Sequence, residues 1–361
     1  MRVVIVGDGP AGTELAKRLA ENHEVTIVEK ENLPHYTKPM MSHYIAGDMA
    51  KEQIFPYPLE WYEKKAIKLL LNVEAKGIEP KDRILHTSAG PIEFDVLILA
   101  TGARPRRISI AGEEYLLTLR TWEDAEKLKE RLEKEKDLLI IGGGFIGLEL
   151  AGNLSKKGYK VKIVEKTNSL LGLDKELTER IKTRLENYGV EFFLSRDIEK
   201  IEKDIVVTDK EEIPARLVLC AIGIVPETAL ARESGLSVNK GILVDRKFRT
   251  SAPNIYALGD CAECDGKISG TARAATEQAK VLANVLNGQP GEYDFHFRSS
   301  YFKFADLPIA IIGRLEGDGK WLDDNTKAFY RNNEIVGVVV FEDIKSARSW
   351  ETRLRPSLNE G

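Results

Sequence analysis

The 361-residue sequence predicts an α/β protein built on two parallel-sheet domains. Two observations carry that expectation. Residues 3–30, VVIVGDGPAGTELAKRLAENHEVTIVEK, and residues 138–166, LLIIGGGFIGLELAGNLSKKGYKVKIVEK, repeat one phrase. Each opens on a Val/Ile-rich run too short for a helix, as a strand buried on both faces reads. Each continues with G-x-G-x-x-G, a helical pattern, and a second apolar run that ends in an acid. The chain is also longer than one core usually holds, so two or three domains are expected.

Composition excludes several classes. Hydrophobic residues make up 43% and charged residues 30%, the balance of a soluble globular chain. No apolar run approaches the roughly 20 residues that span a bilayer, so no membrane partner is expected. The opening MRVVIVGDGP reads as a buried strand and not as a signal peptide, which makes the cytoplasm the expected compartment. A net charge of −4 with no long run of either sign argues against nucleic acid. Three cysteines are too few for a disulfide scaffold.

The repeated phrase has a specific physical meaning. The first glycine turns the chain sharply (Gly7, Gly142). The second lets the backbone approach a pyrophosphate (Gly9, Gly144). The third lets helix pack on strand (Gly12, Gly147). The helix N-terminus then offers free N–H groups and the positive end of its dipole. An acid about 20 residues on, Glu29 or Glu165, accepts from a ribose hydroxyl. Two such units predict two dinucleotide sites, one for a flavin and one for a nicotinamide.

Further motifs fall in a fixed order: FDVLILATGARPR at 94–106, ARLVLCAIGIVPET at 215–228, and TSAPNIYALGDCAE at 250–263 before the helical ARAATEQAKVLANVLNG. In this order the chain resembles the FAD-dependent pyridine nucleotide-disulfide oxidoreductases. The resemblance implies two Rossmann-like domains, one inserted in the other, and a small α+β C-terminal domain. The FAD domain would comprise 1–107 and 240–297, the NAD(P) domain 108–239, and the C-terminal domain 298–361. The last reads as a few strands (PIAIIGRL, KAFYRN, IVGVVVFED) and a final helix.

Site residues follow from the resemblance. Gly7, Gly9, Pro10, Ala11 and Gly12 would cradle the FAD pyrophosphate, with Glu29 on the adenosine ribose. Thr101 and Gly102 lie where the chain passes under the flavin, and Asp260 would bond the ribityl chain or, more plainly, cap the next segment. Lys30, Pro39, Val73, Ala100, Arg104 and Gly259 complete that set. Gly142, Gly144, Ile146, Gly147 and Gly223 would hold the nicotinamide dinucleotide. Glu165 favours NADH, because a 2′-phosphate prefers Arg and none lies within several residues, while the adjacent Lys166 leaves NADPH open. Phe145 would cover the nicotinamide pocket or simply pack.

The chemistry depends on what faces the flavin. Disulfide reductases of this superfamily carry a cysteine pair on the first segment, and water-forming NADH oxidases and coenzyme A disulfide reductases a single one. Here that segment is HYTKPMMSHYIAG, residues 35–47, without cysteine; Lys38-Pro39 stands where those enzymes have Ser-Cys. The C-x-x-C of Cys261 and Cys264 lies elsewhere and reads as packing, with a disulfide or redox role as alternatives; Cys220 reads as core, and no metal site is expected. The spelling Y-x-K-P-x-x-S resembles the rubredoxin reductase branch. That implies hydride transfer from NADH or NADPH to FAD, then single electrons to a small acidic iron–sulfur carrier such as rubredoxin, by a monomer or homodimer. Lys38 would stabilise the reduced ring, and Glu149 would pair with Lys38 or His43 or else face solvent. Arg104, Arg106 and Arg107 together with Arg348, Arg353 and Arg355 would form one rim that steers the carrier. Rival readings are a peroxide-forming NADH oxidase, the NADH-accepting component of a nitrite reductase, and a redox-sensing flavoprotein without turnover.

Overall fold

A computed structural model describes residues 1–355. The first phrase folds as strand Arg2–Val6, helix Pro10–Leu19 and strand Glu24–Val28. Its strands lie in a five-stranded sheet in the order 255–257, 96–99, 2–6, 24–28, 67–70, every pair parallel. The second phrase repeats this as Asp137–Ile141, Phe145–Ser155 and Lys160–Glu165, in a parallel sheet ordered 190–194, 160–165, 137–141, 217–220, 116–117. Strands Val96–Leu99 and Leu217–Cys220 are buried at every position, which is why they are continuous apolar runs. Each sheet is accompanied by a three-stranded antiparallel meander, at 75–93 and at 198–214.

Both Gly-rich helices open at their second motif glycine, and Gly9 and Gly144 provide no side-chain cap. Helices beginning after Thr121, Asp174, Thr271 and Asp343 are each capped by that side chain. The Gly-rich pair therefore leaves its first N–H groups free. Gly7 and Gly142 hold φ at +107° and +108°, and a Cβ on either would stand 2.4 or 2.6 Å from the carbonyl oxygen of the neighbouring strand's end, Ala100 or Ala221.

Two links join the sheets into one body. Ala103–Pro105 pairs antiparallel with Ile224–Pro226, so the chain segments leaving the two sheets form a ribbon. Helix Phe145–Ser155 packs on the short helix Met41–Ile45 and on strand Ser299–Phe304. The C-terminal sheet is antiparallel, ordered 299–304, 307–313, 334–341, 326–331, 318–321, with helix Ile344–Leu354 against it. The three expected strands are present. Ser299–Phe304 and Asp318–Trp321 join them, the second an exposed edge strand with no apolar pattern to betray it. Residues 356–361 of the expected C-terminal domain lie outside the described residues.

Gly152 is the tight point of this junction: a Cβ there would lie 2.4 Å from the Ala305 nitrogen. Gly152→Ala is expected to cost about 1–3 kcal/mol, the range for overpacking, and to lower the calorimetric melting temperature. Gly77→Ala, with nothing within 4 Å of its Cβ position, should leave it unchanged.

Candidate active site

The two uncapped helices face one continuous cleft of about 1730 Å³. On the first-domain side its wall includes Gly7, Gly9, Pro10, Ala11, Glu29 and Lys30, followed by Lys38, Pro39, Val73, Ala100, Thr101 and Gly102, and by Gly259 and Asp260. On the second-domain side it includes Gly142, Gly144, Phe145, Ile146, Glu149, Glu165 and Gly223. Three expected residues are not on this wall. Gly12 and Gly147 lie behind the loops, where a Cβ would strike the Gly7 or Gly142 carbonyl oxygen at 2.0 or 2.6 Å. Arg104 projects from the ribbon into a separate concavity.

The acids do more than the motif suggests. Glu29 accepts from the amides of Asp8 (2.7 Å) and Glu31 (2.9 Å). Glu165 accepts from the amides of Gly143 (2.9 Å) and Thr167 (2.8 Å). In both domains the acid first holds the residue between the two leading glycines, and so fixes the loop that a pyrophosphate would meet. Open space at Gly9, where nothing lies within 4 Å of a Cβ position, uncapped amides and an acid at the far end fit FAD in the first cradle. The matching set beginning at Gly144 fits a nicotinamide dinucleotide in the second.

The electrostatics depart from expectation at Lys38. Its ammonium donates to Tyr36 Oη (2.8 Å), Glu31 Oε1 (3.2 Å) and the Arg120 carbonyl (3.3 Å), so its acid partner is Glu31 and not Glu149. Burial lowers its pKa, against the pull of Glu31. Glu149 instead lies 3.9 Å from His43 Nε2. Burial raises the Glu149 carboxyl to about 7, opposed by a hydrogen bond from Ser42. Phe145 both lines the cleft and packs: its ring stacks on Phe302 of the C-terminal sheet at 3.7 Å.

Sequence reasoning missed several residues here. Arg120 reaches across the cleft to Asp260 at 3.0 Å, so Asp260 has an ion-pair partner at the wall. Only its place just before the Thr121 cap hinted at a fixed position. Arg196 also reaches the wall: its amide donates to the Glu165 carbonyl at 3.1 Å, because the strand beside Glu165 ends at Leu194. Distance in sequence hid it. Lys166 is tied to Asp197 at 2.8 Å.

The three cysteines are free and buried. Cys261 Sγ donates to the Leu99 and Leu258 carbonyls at 3.3 Å, and burial raises Cys264 to about 11. Cys220 ends its strand on the cleft wall, with its thiol directed to the Arg106 carbonyl at 3.5 Å. The expected arginine rim divides. Arg355 is neutralised by Glu277 and Glu351, and Arg353 lies over Trp350. Arg104 and Arg106 join Arg232 and Lys240 around a concavity of about 610 Å³ that shares Ile224, Glu227, Ala229 and Gly270 with the cleft.

Two Gly-rich cradles on one cleft define a flavoprotein oxidoreductase that also binds a pyridine nucleotide. The family model "Pyridine nucleotide-disulphide oxidoreductase" matches residues 1–279, and the model "NAD(P)H:rubredoxin oxidoreductase, C-terminal domain" matches 298–347. The chain belongs to the pyridine nucleotide-disulphide oxidoreductase family: it is an oxidoreductase that works with FAD and NAD(P)H. A nitric oxide reductase FlRd-NAD(+) reductase from Klebsiella pneumoniae is 32% identical over 88% of this chain and 87% of its own length. A ferredoxin reductase from Rhodopseudomonas palustris shares 27% identity at a TM-score of 0.87, over 94% of this chain and 91% of that one. The NADH:rubredoxin oxidoreductase from Clostridium acetobutylicum shares the fold, with a TM-score of 0.81 at 24% identity, over 98% of this chain and 94% of that one.

Behind the first cradle, Asp8 is buried and accepts from Tyr62 Oη (2.7 Å), Thr13 Oγ1 (2.8 Å) and the His35 amide (2.8 Å). Burial raises its carboxyl to about 7. A carboxyl raised on folding binds more protons in the native state between its unfolded value of about 4 and about 7, so stability falls as pH rises through that window. The effect from Asp8 is on the order of 4 kcal/mol. Chemical denaturation of the FAD-free protein from pH 4 to 8 should show a decline to which Asp8 and Glu149 both contribute, and Asp8→Asn should flatten about half of it.

Proposed function

We propose that this chain takes hydride from NADH and passes electrons singly to a small acidic iron–sulfur protein of the rubredoxin type, with no protein thiol in the path. The observation that carries the reading is the wall at residues 35–47: Lys38 and Pro39 face the cleft there, and no sulfur nucleophile stands beside them. The relatives' printed activities agree with it. In this reading residues 1–107 and 240–297 hold FAD, 108–239 hold the nucleotide, and the C-terminal segment from 298 closes the cleft through Phe302. FAD supplies the conversion of a two-electron donor into a one-electron donor. The protein's part is positional. The cradles align the two ring systems, Lys38 places a cation beside the site where negative charge develops, and Phe145 sets the depth of the nicotinamide pocket.

Anaerobic NADH oxidation by the FAD-loaded protein tests this directly. Rubredoxin reduction is expected to run far faster than peroxide formation in air. The reverse order would assign the protein to the oxidases.

The unpaired cations around the second concavity are the proposed docking face for the acidic carrier. Arg104→Glu with Arg106→Glu should raise the KM for rubredoxin about tenfold at low salt and flatten its salt dependence, with ferricyanide reduction unaffected. Glu165 bears on nucleotide choice, and Arg196 stands beside it. Glu165→Ala should raise the NADPH-to-NADH ratio of kcat/KM about tenfold, read by stopped-flow flavin bleaching.

A further inference from the structure

We infer that His43 relays the reaction's proton between Glu149 on the cleft wall and Asp48 at the surface. The imidazole spans the two carboxylates, with Nε2 3.9 Å from Glu149 Oε1 and Nδ1 3.9 Å from Asp48 Oδ2. Side-chain exposure rises along the line, from 20% at Glu149 to 27% at His43 and 34% at Asp48. Lys157 holds Asp48 at 2.6 Å. Contacts on either side hold the segment that carries the ring. Asp48 donates its amide to the His43 carbonyl at 2.9 Å, and Ser42, one residue earlier, receives a hydrogen bond from Asn153 on the Glu149 helix at 3.3 Å.

The chemistry needs such an outlet. The inference rests on the one-electron reading above. NADH and two oxidised carriers give NAD⁺, two reduced carriers and one proton. The hydride supplies both electrons and that proton. The electrons leave by the carrier; the proton must reach solvent separately. Glu149 lines the cleft that the two cradles share, so it stands between that cleft and the more exposed His43 and Asp48. The Glu149 carboxylate takes the proton. Each gap is longer than a hydrogen bond, so one water bridges it: the Glu149 O–H bond breaks as a proton passes through that water to Nε2 of His43, the Nδ1 proton passes through the second to Asp48 and on to solvent, and a ring flip restores the Nδ1–H form. Nothing is oxidised or reduced in the relay.

Among the described residues, Asp48 and Glu149 are the only charged groups within 4 Å of the ring nitrogens. On the helix Phe145–Ser155, Glu149 is the sole acid. Lys38, in the preceding turn, is engaged by Glu31. Of the helix Trp122–Lys134, Glu126 bonds the Tyr44 hydroxyl and Lys129 lies over the Tyr44 ring. Of the helix Lys51–Ile54, Lys51 lies over Trp122 and Glu52 is exposed.

The test uses the FAD-loaded full chain with ¹³C-labelled histidine. Five histidines give five ring signals, and His43→Gln assigns the one that matters. Glu149→Gln and Asp48→Asn each replace the group facing one ring nitrogen, so each should move the His43 ring signal at pH 7 well beyond the spread between repeat spectra. A ring signal that stays in place in both variants would overturn the relay. A second measurement follows NADH-driven ferricyanide reduction. His43→Ala should slow it about tenfold at pH 7, and added imidazole should restore it. A full rate in His43→Ala, or no rescue, also overturns the relay. Ferricyanide keeps the two readings apart: intact relay behaviour with no rubredoxin reduction would sink the carrier proposal alone.

Discussion

Everything at this site depends on a close approach of backbone to backbone, made twice. At Gly7 and Gly142 the strand turns so tightly that the carbonyl of the adjacent strand's end occupies the space of a side chain. That contact aims the following helix, and the helix begins without a capping side chain. Its first amides are left for a ligand. A carboxylate from the next strand then holds the loop by its middle amide. Remove the glycine and the helix moves; fill the cap and the phosphate site closes. The two domains differ in most side chains yet repeat this construction bond for bond.

Much of this was legible because it is local. Strand, glycine spacing, helix and acid occupy fewer than 30 consecutive residues in each phrase, and each position has its own steric reason. What was hidden is what the fold brings together from afar. Arg120 meets Asp260 across 140 residues, Arg196 reaches Glu165 from the end of a parallel strand, and Lys38 finds Glu31 instead of Glu149. Asp8 was overlooked for a different reason. A charged residue at a variable motif position reads as solvated, whereas here it is buried behind the loop with three donors.

The arginines show why residue type alone misleads. Two clusters of like charge looked like one rim. The fold gives Arg355 acids from the helix Ala272–Leu286 and from its own helix, lays Arg353 over Trp350, and leaves Arg104 and Arg106 without an acidic partner among the described residues. Charge that is matched at home does little at long range, while unmatched charge in a concavity shapes the field around it.

The ribbon itself has a mechanical consequence. Ala103–Pro105 and Ile224–Pro226 run antiparallel and are hydrogen-bonded. Two separate single strands would let the nucleotide-side sheet slide, twist or swing relative to its neighbour. A paired ribbon resists sliding, since its register would have to break, but it still bends. The connection therefore acts as a strap, backed by the packing of helix Phe145–Ser155 on Met41–Ile45. Sliding one sheet past the other would cost the ribbon's hydrogen bonds, so the pairing keeps the two cradles in line.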